Sequence, residues 1–148
     1  MKLPQIEISI KYKGTKKSDI KSISNSSDIY EVLKLMFNQD TIEWTEEVVL
    51  MCLTRSNKVI GYYKVSSGGL SASIVDPKVI FTIALNCAGT CHLVLAHNHP
   101  SGALVPSTQD DDITQKIKQG AALLDMKLLD HLIVTKDGYY SYCDQDRM

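Results

Sequence analysis

Residues 91–124 read CHLVLAHNHPSGALVPSTQDDDITQKIKQGAALL. The opening run, 91–96, is apolar and too short for a helix, the pattern of a buried strand. It passes straight into HNHPSG. Pro100, Gly102 and Pro106 then force the chain to loop. From residue 108 to 124 the spacing turns helical, with Ile113, Ile117, Ala121 and Leu124 on one side. A strand, a loop and an amphipathic helix in this order form the repeating unit of a sheet covered by helices.

The flanks extend the same architecture. Downstream, KLLDHLIV (127–134) and YYSY (139–142) read as closing strands around the turn Lys136-Asp137-Gly138. Upstream, Asp76-Pro77 starts a helix that runs to about Ala88 and is stopped by Gly89. Residues 46–53 (EEVVLMCL) form a buried strand, RSNK (55–58) a turn, and VIGYYKV (59–65) the partner strand. SSGGLS (66–71) is punctuation. Residues 28–38 follow helix spacing through Ile29, Val32, Leu33, Met36 and Phe37, with Asp28 as the cap. Residues 13–27 are polar and loop-like, and QIEISIKY (5–12) alternates as a half-exposed strand does. The expected fold class is α/β, a mixed central β-sheet packed by helices. It is read as one domain over 1–148, with 1–45 as an N-terminal strand-loop-helix extension.

Bulk properties limit the function. A chain of 148 residues with 44% hydrophobic and 22% charged residues builds one core without disulfides. Sixteen Lys+Arg face seventeen Asp+Glu, a net charge of −1. That balance lacks the basic excess of a dedicated nucleic-acid binder, so direct DNA binding is not expected. The cluster Lys11, Lys13, Lys16, Lys17 and Lys21 reads as a solvated arm or loop. Glu7 and Lys11 interrupt the N-terminus where an export signal needs an apolar stretch, and no run nears the ~20 residues of a membrane span. The expectation is a soluble cytoplasmic protein with no membrane partner. The four cysteines, Cys52, Cys87, Cys91 and Cys143, then default to reduced and mostly buried thiols. Cys87 and Cys91 would share a helix face only if that helix continued past Gly89, and no CxxC pair is present.

The chemistry concentrates after the strand. His97 and His99 sit at i and i+2, so a strand continued through them points both imidazoles to one face. Ten residues separate His99 from Asp110, enough for the loop to return and place Asp110 in the first helical turn. Two His and one carboxylate, with a fourth position left for water, make a catalytic zinc site, one ion per chain. Zinc lowers the pKa of water to about 7. A carboxylate beside it, Glu46 or Glu47, would shuttle the proton, and the Ser107 hydroxyl would steady an oxyanion. Each part also has a plain reading. Two loop histidines carry no chemistry by themselves, Ser107-x-x-Asp110 caps a helix, and the glutamates suit a solvated strand end. The conjunction favours the metal.

HxHP followed by SxxD resembles the JAMM (JAB/MPN) metalloprotein signature. LAHNHPSG (95–102), PSTQD (106–110) with Thr114, LLDHLIV (128–134), EEVVLMCLTRSNKVIG (46–61) and SASIVDPKVIF (71–81) are similar to the RadC family in particular. The resemblance implies a JAMM domain related in shape to the cytidine-deaminase sandwich, with zinc on His97, His99 and Asp110. The family's catalytic Glu lies seven residues before the Leu closing its first long strand. Here that Leu is Leu53, which selects Glu46, and a one-residue slip would select Glu47. Ser107 matches the family's Ser beside the metal. The implied activity is JAMM-type metallopeptidase or isopeptidase hydrolysis of a peptide or protein substrate.

There are departures from the pattern. Residues 1–45 do not suit the helix-hairpin-helix region of long RadC proteins, so the chain resembles their short form. Val48 stands where Phe is frequent, and Ala103-Leu104-Val105 suggests a more apolar site mouth. The alternatives are a non-catalytic zinc-containing module in DNA repair or recombination, and, last, hydrolysis of a nucleobase amine. The wording of zinc deaminases is absent. His92 reads as a strand-start residue and His131 as a buried, hydrogen-bonded one, neither with assigned chemistry.

Overall fold

The computed structural model describes residues 1–14, 22–67 and 75–148. Five strands form one sheet in the order β2-β1-β3-β4-β5. They are β1 (Glu47–Leu53), β2 (Val59–Ser67), β3 (His92–Asn98), β4 (Lys127–Val134) and β5 (Tyr139–Ser141). β3 and β4 run parallel, joined through a helix, and the other neighbours are antiparallel. The helices are α1 (Ser26–Leu33), α2 (Pro77–Asn86) and α3 (Thr108–Leu123). This is the mixed, helix-packed α/β sheet expected from the sequence.

Strand parity sorts the core into two layers. On one face, Val49, Met51 and Leu53 of β1 join Val94 and Ala96 of β3 against Ile29 and Leu33 of α1. On the other, Val48, Leu50 and Cys52 join Leu93 and Leu95 against Ile80 and Ala84 of α2 and Ile117 and Ala121 of α3. Central strands buried on both faces explain their unbroken apolar runs. Each fully buried Leu or Ile here contributes roughly 1.5–3 kcal/mol.

The helix starts are set by side chains. Asp76 accepts from Lys78 N at 2.9 Å and Pro77 fills the first turn. Helix α2 ends at Asn86, two residues short of Ala88, and Gly89 adopts φ +86. Cys87 and Cys91 therefore share no helix face. Helix α1 starts earlier than expected because Asn25, not Asp28, is the cap, while Asp28 accepts from Ser24 N. It stops at Leu33, and Met36 and Phe37 are buried by irregular turns instead. Leu124 is 40% exposed and leaves the buried face of α3 to Thr114, Ile117 and Ala121.

The N-terminal expectation fails. Residues 5–12 form no strand, and Ile6, Ile8 and Ile10 are exposed. Alternation specifies a strand only where a neighbour supplies hydrogen bonds and a face to bury. Tyr12 Oη lies 3.6 Å from Cys87 Sγ, a side-chain contact and not a strand ladder. Lys11 and Lys13 are exposed, as read, while Lys16, Lys17 and Lys21 lie outside the described residues. So do residues 15–21 of the expected loop and 68–71 of SSGGLS, while Ser66 and Ser67 extend β2 beyond its expected end at Val65. Among the described residues, no helix is long and apolar enough to cross a membrane.

The thiols grade from Cys52 and Cys87, buried, through Cys91 to exposed Cys143, all free. Burial, then the neighbouring Cys87, pushes the Cys52 thiol from 9.0 up to about 12. An unfolded chain thus releases this proton at lower pH than the folded one. Stability is full below pH 9 and declines as pH climbs toward 12, at up to about 1.4 kcal/mol per pH unit. Urea midpoints across that range should fall more steeply for the wild type than for Cys52→Ala. Equal slopes would refute the linkage.

Candidate metal centre

The parity that sorts the core also builds the site. β3 continues through Asn98, so His97 follows Leu93 and Leu95 onto the α3 side. Asn98 therefore points the opposite way and is fully buried. Its amide donates to Ile42 O at 2.7 Å and Thr45 O at 2.8 Å, and its oxygen accepts from Glu47 N at 2.6 Å. These bonds pin the chain that enters β1 against the end of β3. Because Val48 pairs with His97, Glu46 shares the His97 side, and Glu47 faces away to Lys64 at 3.2 Å.

Asp110 arrives from α3. Ser107 Oγ accepts from Asp110 N at 3.1 Å, and the Asp110 carboxylate accepts from Ser107 N at 2.8 Å, a complete capping box. The same carboxylate lies 3.2 Å from His97 Nε2 and 3.4 Å from His99 Nε2. One carboxylate can thus close the capping box and still face both imidazoles. The two Nε2 atoms are 2.9 Å apart. A ligand atom from each of the three residues falls within 4.8 Å of the other two.

His99 Nδ1 lies 2.8 Å from Ala103 O, which can only accept, so that nitrogen carries a proton. In a neutral ring, its Nε2 then presents a lone pair to His97 and Asp110. Lone pairs and a carboxylate aimed at one point repel unless a cation or a proton lies between them. The separations of 2.9–3.4 Å approach the ~3.3 Å edge of a tetrahedron with bonds of about 2.0–2.1 Å. The donor set fits a metal ion. Without one, the hydrogen bond to Asp110 raises the His99 pKa, opposed by burial. Burial alone would raise the Asp110 carboxyl, but the bonds to His97 and His99 hold it well below the usual carboxylate range.

These groups line a cavity of about 450 Å³. Glu46 and Ser107 line it too, so all five residues singled out in the sequence meet there, and Glu47 does not. Val48, Val75 and Ile113 supply its apolar wall. Ala103, Leu104 and Val105 are exposed and form no part of its lining, contrary to the apolar mouth expected of them. His92 begins β3, as read, bonded to Asn57 Oδ1 at 2.6 Å. His131 is buried and also borders the cavity. Burial, then the nearby His97, sets its pKa well below the ordinary value. Among the described residues, the cysteines join no group that could hold a metal. Sequence reasoning missed the work of Asn98. Its signal was a polar residue placed between two that share one strand face, and so forced into the interior.

The sequence matches the model of the RadC-like JAB domain over residues 23–147. A protein named "UPF0758 protein" from Flavobacterium johnsoniae is 40% identical over 85% of this chain and 53% of its own length. One of the same name from Streptococcus sanguinis is 40% identical over 70% of this chain and 45% of its own length. Another, from Chlorobium phaeovibrioides, is 30% identical over 90% of this chain and 58% of its own length. The chain thus spans about half the length of the curated relatives it matches.

Proposed function

This chain belongs to the RadC-like JAB domain family, and we propose that it is a zinc-dependent hydrolase cleaving a peptide or isopeptide amide in a protein or peptide substrate. The observation that carries the reading is the meeting of three metal-type donors with a carboxylate and a hydroxyl in one cavity. A structural metal needs no such additions.

His97, His99 and Asp110 would hold the ion. When bound, it supplies Lewis acidity toward a carbonyl oxygen and acidifies water to a pKa of about 7. Glu46 takes a proton from the attacking water and returns it to the leaving nitrogen, so that amide and water become acid and amine. Ser107 accepts from Asp110 N through a lone pair, which leaves its O–H proton to meet the oxyanion. The apolar wall of Val48, Val75 and Ile113 limits competing water. The rival reading, a non-catalytic zinc module in DNA repair, draws no support from sixteen basic against seventeen acidic residues.

The test is a screen of peptide and isopeptide libraries with purified protein, its zinc measured by elemental analysis. Near one zinc per chain is expected, with cleavage that stops on chelation and returns with added zinc. Cleavage indifferent to chelation, or no zinc uptake, would refute the proposal.

A further inference from the structure

His131 is the buried polar side chain beside the site that the reaction does not use. It reaches the site through an irregularity in β4. Leu93 pairs with Leu128 and Val94 with Asp130, so Leu129 is an extra residue in the ladder. That slip resets strand parity. Leu128 packs on the α3 side and Leu129 and Leu132 on the α1 side, which turns His131 toward α3. Its ring is 1% exposed and stacks on Tyr142 with centroids 5.0 Å apart and planes within 6°.

Both ring nitrogens are engaged. His131 Nδ1 lies 2.6 Å from Thr114 Oγ1, and His131 Nε2 lies 2.8 Å from His97 Nδ1. The direction of every proton follows from the far end. Thr114 Oγ1 donates to Asp110 O at 2.6 Å, and a carbonyl can only accept. The single hydroxyl proton is thereby committed, and Thr114 can only accept from His131. The proton on that ring is therefore on Nδ1. Both ring nitrogens are taken by His97 and Thr114, so among the described residues no carboxylate is hydrogen-bonded to the ring to pair a second, charged proton in this buried place. Nε2 is then bare and accepts from His97 Nδ1–H. His97, protonated at Nδ1, presents the Nε2 lone pair to Asp110 and His99.

We propose that His131 is a positioning residue. Together with Thr114 it fixes the tautomer of His97 that can ligate a metal, and ties that ligand through hydrogen bonds to the backbone of a second ligand, Asp110. The inference rests on the metal reading above. The opposite tautomer of His97 would aim an N–H at the position of the ion. Partners of this kind change metal affinity by roughly 10–100-fold.

The test uses the full chain, with zinc affinity measured by competition against a chromophoric chelator. Thr114→Val keeps the shape and removes the acceptor, and is expected to weaken zinc roughly 10-fold or more. Thr114→Ser restores the hydroxyl and should bind as the wild type does. His131→Leu should lose affinity similarly, while His131→Gln, with an acceptor for His97 Nδ1–H, should retain most of it. Nitrogen-15 spectra of the four histidines in metal-free protein supply a readout independent of zinc and of folding stability. His131 should be protonated at Nδ1 and bare at Nε2, and His97 should carry a proton on Nδ1. Protonation of His131 at Nε2, or equal zinc affinity of wild type, Thr114→Val and His131→Leu, overturns the proposal and leaves the metal site standing. Wild-type protein that takes up no zinc overturns the metal reading, and this one with it.

Discussion

Asp110→Ala is expected to abolish metal binding and loosen α3 in one step, whereas Asp110→Asn abolishes metal binding alone. The Asp110 carboxylate has two separable tasks. It accepts from Ser107 N at 2.8 Å to close the capping box, and it faces the two imidazoles at 3.2 and 3.4 Å. Alanine removes both. Loss of this one hydrogen bond costs about 0.5–1.5 kcal/mol, while Ser107 Oγ still accepts from the backbone N–H of residue 110. For a chain of this length each 1 kcal/mol lowers Tm by roughly 2–4 °C. Asparagine keeps an oxygen for Ser107 N, and its amide N–H can donate to a histidine lone pair. Its neutral oxygen, however, is a poor substitute for a carboxylate ligand. Both variants should bind metal more weakly by more than the ~10–100-fold that an outer partner is worth. In the presence of chelator, only alanine should show the lowered Tm. Metal bound as tightly by either variant as by the wild type would remove Asp110 from the site. Equal Tm values for Asn and Ala would separate the metal task from the cap.

Why these residues were legible in the sequence, and others were not, follows from the range of the signals. The period of a strand acts locally, so His97 and His99 on one face and Asn98 on the other follow from three consecutive letters. A capping box also acts locally, so Ser107 and Asp110 announce both a helix start and a carboxylate at a known point on it. Glu46 against Glu47 needs the pairing of β1 with β3, and Val48 opposite His97 is a long-range register that neither segment states. His131 was further from reach. Its orientation depends on one extra residue, Leu129, in the β3–β4 ladder. Unbroken alternation from Leu128 would have turned the same histidine toward α1. The consecutive Leu128 and Leu129, each packed on a different face, are compatible with a bulge but equally with any strand buried on both sides. The N-terminal segment erred in the other direction. QIEISIKY has the local pattern of a strand, but a strand also needs a partner, and Ile6, Ile8 and Ile10 stay exposed.

Glu46→Gln should retain metal and lose activity, with the rate on any amide substrate found by the screen down about 10²–10⁴-fold. That loss corresponds to roughly 3–5 kcal/mol of transition-state stabilisation. Glutamine preserves size and hydrogen-bonding reach, so the cavity bounded by Val48, His97 and Asp110 keeps its shape. What it removes is the capacity to accept the water proton and return it to the leaving nitrogen. Metal content should stay unchanged, because Glu46 does not belong to the group of three converging donors. Glu47→Gln is the internal control. Its carboxylate pairs with Lys64 at 3.2 Å on the opposite side of the strand. Such a pair, partly open to solvent, is worth about 0–1 kcal/mol, and its loss should leave the rate within a few-fold. The two variants therefore test strand register and chemistry together. Activity lost in Glu47→Gln and kept in Glu46→Gln would mean that β1 is shifted by one residue relative to β3. Activity kept in both, with metal still bound, would assign the proton transfer to a group other than these two glutamates.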